Sequence, residues 1–275
     1  MLQLENFTID ANTTAAGATH VGLRRSNNED AFLIDPSIGL ITLADGIGGQ
    51  EAGDVASSEA INALQEYLIE FRNKRSQEIN DNGFDPFQSG AKGGLNSTRR
   101  IFDQTMAAVM HANNEIFALN QKFGFSVEKS MGTTVVGLVS VPDDTMSIVA
   151  FHVGDSRLYR MREGIFEQLT RDDTLHQDWL DKGSVGIEPP KNILSQCVGS
   201  RSFVKPTIFV PSFRRGDLLL LCSDGLSDLV DEAELRDRIS ETNRERLDVT
   251  CNELITAANN HGGKDNITAI LVSRQ

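Results

Sequence analysis

Basic residues are in short supply in this chain: 26 Lys and Arg stand against 39 Asp and Glu over 275 residues, for a formal net charge of −13. Nucleic-acid binding needs clustered cations that displace counterions from phosphate backbones, and an acid excess of this size argues against it. Cysteine is scarce too. Cys197, Cys222 and Cys251 are odd in number, widely spaced and in no CxxC or Cys/His pattern. They read as small buried hydrophobes, not as a disulfide framework or a zinc site. No run of about 18 uncharged apolar residues occurs, so no membrane span is expected. The opening MLQLENFTIDANTT lacks the basic segment, apolar stretch and cleavage site of a secretory signal, and a cytoplasmic protein is expected. Also missing are the GxxxxGK[ST] phosphate loop, HExxH, the GxSxG elbow and a full EF-hand loop.

What remains is ordinary globular material, 39% hydrophobic and 24% charged, which excludes wholesale disorder. We expect one domain spanning 1–275; at this size a domain buries roughly 75% of its unfolded surface. AFLID, GLITLADG, GTTVVGLVSV, MSIVAFHVGD, DLLLLCSDG and NITAILVS are rich in Val, Ile and Leu and read as strands. Glu51 to Phe71 and Arg99 to Phe123 carry apolar residues at helical spacing, and Leu247, Cys251, Leu254 and Ala258 mark a third amphipathic helix. Strands grouped before and after a helix pair predict an α+β domain with sheets packed under helices. The polar stretch 73–98 reads as an inserted loop between the two long helices, and 182–202 as an irregular flap beside a site.

The acids carry the chemistry. Asp45 ends a strand and precedes Gly-Ile-Gly-Gly, Asp155 ends a strand in HVGDSR, Asp224 ends one in LLLLCSDG, and Asp265 opens one in GGKDN. Any one of these reads equally as a turn residue. Four carboxylates together beside apolar strands, where a charge is costly, point instead to a shared site. Carboxylates gathered at one end of a sheet suit hard divalent cations such as Mg²⁺ or Mn²⁺. Gly46 allows its own carbonyl to turn toward a metal held by Asp45, and Glu29 and Asp30 add two acids that bound cations would compensate. Arg25, four residues before Glu29, suits a phosphate grip or a surface ion pair with Glu29 or Asp30. Among five scattered histidines, His152 reads as packed in a strand, and His176 is kept as a candidate for proton transfer.

Taken in order from Gly17 to Ser273, RRSNNED, LADGIGGQEAGDVAS, MGTTVVG, HVGDSRLYR, LTRDDT, ILSQCVG, LLLLCSDGLSDLV and GGKDNITAILV resemble the metal-dependent protein phosphatases of type 2C in their compact bacterial form. The resemblance implies a β-sandwich of two antiparallel sheets flanked by helix pairs, in four αββα layers, with a binuclear centre at the sheet ends. It implies that Asp45 bridges two divalent cations, Mn²⁺ or Mg²⁺, and that the Gly46 carbonyl holds one and Asp224 and Asp265 the other. Glu29 and Asp30 match acids that order metal-bound waters, and Arg25 matches the phosphate-binding arginine. Asp155, Asp224 and Asp228 match a weaker third metal site; Asp228 by itself also reads as a helix N-terminal acid. The implied reaction is direct attack of a metal-bridging hydroxide on phosphoserine or phosphothreonine, with phosphorylated proteins as substrates and a cognate Ser/Thr kinase as the opposing partner. Ile47 and Gln50 stand where some relatives have histidine, which leaves a metal-bound water as the first choice of proton donor. The same centre would also serve a hydrolase of small phosphate esters, and a phosphoprotein-binding pseudophosphatase is the non-enzymatic alternative.

Overall fold

Two antiparallel sheets lie face to face in the computed structural model of the chain, which describes residues 7–10, 12–47, 52–82, 93–126, 130–141 and 147–275. The first sheet runs in the order β1 (Phe7–Asp10), β2 (Thr13–His20), β12 (Ile267–Arg274), β11 (Leu218–Cys222), β8 (Arg157–Arg162), β9 (Ile165–Gln168). The second runs β10 (Thr207–Phe209), β7 (Ile148–Val153), β6 (Val135–Ser140), β4 (Leu40–Ile47), β3 (Asp30–Asp35), with β5 (Gly132–Thr133) pairing the end of β4. Helices α1 (Gly53–Asn82) and α2 (Gly93–Phe123) pack on the second sheet, and α5 (Glu232–Ser240) and α6 (Leu247–Asn260) on the first. Helices α3 (Leu175–Asp181) and α4 (Asp224–Ser227) are short. Among the described residues no helix is long and apolar enough to cross a membrane.

The continuous apolar runs follow from burial on both faces. In β11, Leu218, Leu220 and Cys222 point toward α5 and α6, while Leu219 and Leu221 point into the seam between the sheets. Strand β12 divides the same way, with Ile267, Ala269 and Leu271 under the helices and Ile270 and Val272 in the seam. Side chains alternate across a strand, so a strand covered on both sides has no polar position to alternate with. Each such Leu or Ile contributes about 1.5–3 kcal/mol on burial. The third layer of core lies between α1, α2 and the second sheet, around Leu64, Leu68, Val109, Ile116 and Phe151. The expected four-layer αββα architecture is the one observed.

Strands β1, β2, β8, β9 and β10 escape the apolar pattern. Strand β2, TTAAGATH, is built from small residues because its neighbours come close: a Cβ on Gly17 would lie 2.7 Å from the Phe32 ring. Strand β8, RLYRMR, alternates arginines with Leu158, Tyr159 and Met161, and its charges are paired: Arg157 with Asp172, Arg160 with Glu167, Arg162 with Asp217. The expected inserted loop at 73–98 is corrected. Helix α1 continues to Asn82 and α2 begins at Gly93, so helix occupies most of that stretch, and 83–92 lie outside the described residues. NKRSQE is made largely of good helix formers. The apolar stripe of the sequence fades after Phe71, whereas the helix runs on to Asn82. Glu70 and Lys74 pair at 2.6 Å one turn apart along this segment.

Candidate metal centre

The acids singled out in the sequence collect at one end of the sandwich because the strands that carry them end or begin there. Asp30 and Asp45 sit opposite each other in the β3–β4 register. Asp155 follows β7, and Asp265 precedes β12. Asp224 is not the end of a strand: β11 stops at Cys222, Ser223 takes the N-cap position, and Asp224 is the first residue of α4. Arg25, Glu29, Asp45, Gly46, Asp155, Asp224 and Asp265 line a single cleft of about 530 Å³. Asp228, which the spacing also allowed as a helix N-terminal acid, lies past the C-terminal end of α4; the cap of α5 is Asp231 instead. Its side chain faces an adjoining cavity of about 210 Å³, shared with Asp155, Asp224 and His176.

Asp30 is buried beneath this cleft, 7% exposed, and is held by a directed chain of hydrogen bonds. Ser223 Oγ donates to its Oδ2 at 2.8 Å and Thr268 Oγ1 at 2.6 Å. Thr268 has then used its proton, so it accepts from Thr19 at 2.8 Å, and Thr19 accepts from Asn28 Nδ2 at 2.9 Å. Asp30 Oδ1 has no protein partner, an orphaned acceptor of the kind that an ordered water satisfies.

Glycine is required beside Asp45. A Cβ on Gly46 would fall 2.0 Å from the Gly53 carbonyl oxygen and 2.7 Å from that of Glu29. Gly53 opens α1, and a Cβ there would meet the Glu29 carboxylate at 2.7 Å. The end of β4, the start of α1 and the Glu29 loop therefore pass as bare backbone. Gly46 N donates to Glu29 O at 3.1 Å, and Asp45 is braced by Thr134, whose N donates to Asp45 O at 2.9 Å while its hydroxyl accepts from Asp45 N at 3.1 Å.

Electrostatics make the cluster unhappy as it stands. Burial, then the charges of Asp30, Asp224 and Asp155, push the Asp45 carboxyl well above its ordinary range. Asp30 is pushed up to about 7, mainly by burial, against the opposing hydroxyl hydrogen bonds. Asp155 is pushed up to about 7 by burial and then by Asp224, and Asp224 to about 6 by burial and then by Asp228 and Asp265. Burial leads the raised value of Glu29 as well, opposed by Arg25. A divalent cation reverses each of these shifts, because it favours the charged form. Among the described residues no three His, Cys, Asp or Glu groups form a ready-made cage. Hard cations of the Mg²⁺ type keep several waters and take one or two carboxylates. Spaced carboxylates, the Gly46 carbonyl and an orphaned acceptor around an open cleft fit that chemistry.

Arg25 pairs with neither acid that its spacing suggested: Nη2 donates to Asp265 Oδ2 at 2.7 Å, with half of its side chain exposed. His176 contacts Glu188 at 3.1 Å and faces the adjoining cavity, not the main cleft. His152 is buried in β7, 1% exposed, with burial lowering its pKa, as its strand position suggested. Gln50 lies outside the described residues. Ile47 faces the cleft and has no proton to give. Ile47→His is expected to add an ionisation near the ordinary histidine value of about 6.5 to the pH–rate profile; an unchanged profile would show that the position cannot host the acid.

The irregular 182–202 segment lies beside the cleft, as its composition suggested, but no sequence signal singled out the residues that line it: Asn192, Ile193, Leu194 and Cys197 form one wall. Cys197 lies in the cleft with its thiol pKa raised by burial, which suits a wall better than a nucleophile. Asn266 accepts from Glu29 N at 2.8 Å and donates to Val21 O and Asn27 O, so one amide fixes both ends of the loop that presents Arg25. Its place directly after Asp265 was the only clue.

Comparison with known proteins gives the family of the fold. The family model described as Protein phosphatase 2C matches residues 16–256. The chain is 33% identical over 266 residues to a serine/threonine phosphatase of Listeria innocua, covering 93% of this chain and 94% of that one. The structure of the S. agalactiae serine/threonine phosphatase superposes with a TM-score of 0.77 at 30% identity, over 96% of this chain and all of that one (100%). The catalytic domain of the serine threonine protein phosphatase PstP, solved in complex with two manganese ions, superposes with a TM-score of 0.73 at 29% identity, over 95% and 98% of the two chains. With the acids converging in one cleft, the αββα sandwich beneath them and a family match across most of its length, the chain belongs to the protein phosphatase 2C family.

Proposed function

We propose that the cleft binds two divalent cations, Mn²⁺ or Mg²⁺, through Asp45, the Gly46 carbonyl, Asp224 and Asp265, and hydrolyses phosphoserine and phosphothreonine in proteins. The activity class, protein-serine/threonine phosphatase, follows from the family. The observation that carries the site assignment is that Asp45, Asp224, Asp265 and Arg25 meet in one cleft although they are spread over most of the chain. Bound there, divalent ions supply a nucleophilic water at neutral pH and offset the charge of the phosphoryl oxygens.

The chain's own groups do the rest. Arg25 receives the phosphate: its pair with Asp265 is half exposed and is worth about 0–1 kcal/mol, so the guanidinium turns to a dianion at little cost. The Asn266 amide keeps the Arg25 loop in register with Asp265. Asp30 and Glu29 orient water at the floor and rim, Asp30 through its unpaired Oδ1. Asp155 and Asp228, with Asp224, form the weaker third cation site. We read residues 1–275 as one catalytic unit, acting on phosphorylated proteins and opposing a Ser/Thr kinase. A phosphoprotein-binding pseudophosphatase has no chemical use for this full set of carboxylates.

Hydrolysis of a phosphothreonine peptide tests the reading. Turnover is expected with Mn²⁺ or Mg²⁺, to fall to background with chelator, and to exceed that of a matched phosphotyrosine peptide. Undiminished turnover in chelator would overturn the binuclear assignment, and activity confined to small phosphate esters would favour the small-molecule hydrolase.

A further inference from the structure

Beyond the cleft wall at Cys197, a second groove of about 200 Å³ opens, bordered by Arg201, Phe203 and Lys205. Cys197 lines both spaces, so the groove adjoins the proposed catalytic cleft. The connection is structural as well. Val198 exchanges backbone hydrogen bonds with Thr133 at 2.8 and 3.0 Å, and Thr133 pairs with Gly46 across β4 and β5. One strand bridge thus separates the groove from the proposed metal ligands.

The groove is firmly built. The buried Asn113 of α2 accepts from Gly199 N at 2.9 Å and donates to Arg201 O at 3.1 Å, fixing the backbone that carries Arg201. Gln196 spans to Lys205 with both ends of its amide, accepting from Lys205 N at 3.1 Å and donating to Lys205 O at 3.0 Å. The same amide donates to Asp173 Oδ2, which also accepts from Gly154 N next to Asp155. The backbone under both cations is held, while their side chains are exposed. Neither makes an ion pair among the described residues. Phe203, 66% exposed, adds an apolar face beside them.

Two exposed cations without an acidic partner among the described residues, held on one groove, suit an anion, and the groove's position against the cleft wall places that anion within reach of the molecule that brings the phosphate. We propose that Arg201 and Lys205 form a specificity subsite for an anionic side chain of the phosphoprotein substrate, outside the phosphoresidue itself. The inference rests on the protein-phosphatase reading above. It gives an acidic enzyme a local means of preferring acidic substrate segments, with Phe203 as a platform for the peptide between the two sites.

The experiment compares kcat/KM, with Mn²⁺ present, for phosphothreonine peptides that carry alanine, glutamate or a non-hydrolysable phosphonate residue at successive positions on either side. At one or two positions an anionic residue is expected to raise kcat/KM, by roughly two- to fivefold for each cation engaged, mainly through KM. The advantage shrinks at higher salt and disappears in the Arg201→Ala/Lys205→Ala double variant, read as the ratio of anionic to alanine peptide within one enzyme. The glutamate and phosphonate arms identify which anion the groove takes. Equal rates for all peptides at every position, or a preference that survives in the double variant, overturn the subsite. Failure to hydrolyse any peptide overturns the phosphatase reading and the subsite with it, a result distinct from hydrolysis without preference.

Discussion

Asp45→Asn is expected to lower metal-dependent turnover by at least about a hundred- to a thousandfold, the scale on which loss of a metal-supporting or charge-stabilising group is felt. Asp45 stands where the centre is most crowded. Its carboxyl is buried and feels the charges of Asp30, Asp224 and Asp155. No neighbouring group replaces it, because Gly46 offers only its carbonyl and Thr134 is already committed to the Asp45 backbone. The same variant is expected to unfold at a higher temperature than wild type when both are held in chelator. An amide of nearly the same shape removes a carboxyl that the metal-free fold keeps only at a cost, by holding its proton above the ordinary range or by burying an uncompensated charge. Loss of activity with a gain in metal-free stability separates a functional carboxylate from a structural one. Full activity in Asp45→Asn would remove Asp45 from the centre, and a lower melting temperature in chelator would mean that its charge is compensated by groups other than a metal.

In chelator, the wild-type protein is expected to lose stability as pH rises from about 4 to about 7. Asp30 and Asp155 are raised to about 7 in the folded chain and Asp224 to about 6, against about 3.9 for an unfolded Asp. Between those values the unfolded chain has released these protons and the folded chain still holds them. The folded state therefore binds more protons, and stability falls as pH rises through the window, levelling off above the folded values. Below the unfolded value both states are protonated and the difference vanishes. The summed effect is of the order of a few kcal/mol, since the carboxyls titrate together and cannot be counted separately. Saturating Mn²⁺ reverses the slope, because cation binding favours the ionised carboxylates that form only as pH rises. Melting temperatures across this range, with and without metal, check both halves. A flat or rising profile in chelator would show that the carboxylates are already compensated.

The seam-facing and helix-facing alternation of β11 and β12, and the family motifs that carry Asp45, Asp224 and Asp265, are written in local sequence. A strand buried on both faces must be continuously apolar, and a carboxylate beside glycine at its end is conspicuous. The extent of α1 was not legible, because an apolar stripe records where a helix packs and is silent where it continues in polar helix formers such as those after Phe71. Strand β2 was hidden by its small residues, whose reason is the Phe32 ring from a strand not adjacent to it in the sheet. Arg25 was legible as a candidate for phosphate binding but not as the partner of Asp265, 240 residues away.

By itself, then, the sequence determined an α+β domain with sheets under helices, the acids that line the cleft and the class of ion they suit, since periodicity and donor chemistry are properties of short segments, while the order of the four layers was legible only through the family resemblance. Only the tertiary structure decided that Ser223 and Thr268 grip Asp30, that Asn266 locks the Arg25 loop, and which residues of the expected flap wall the cleft and which carry two cations beside it. Those contacts join residues far apart in the chain through hydrogen bonds whose direction and length no local pattern encodes.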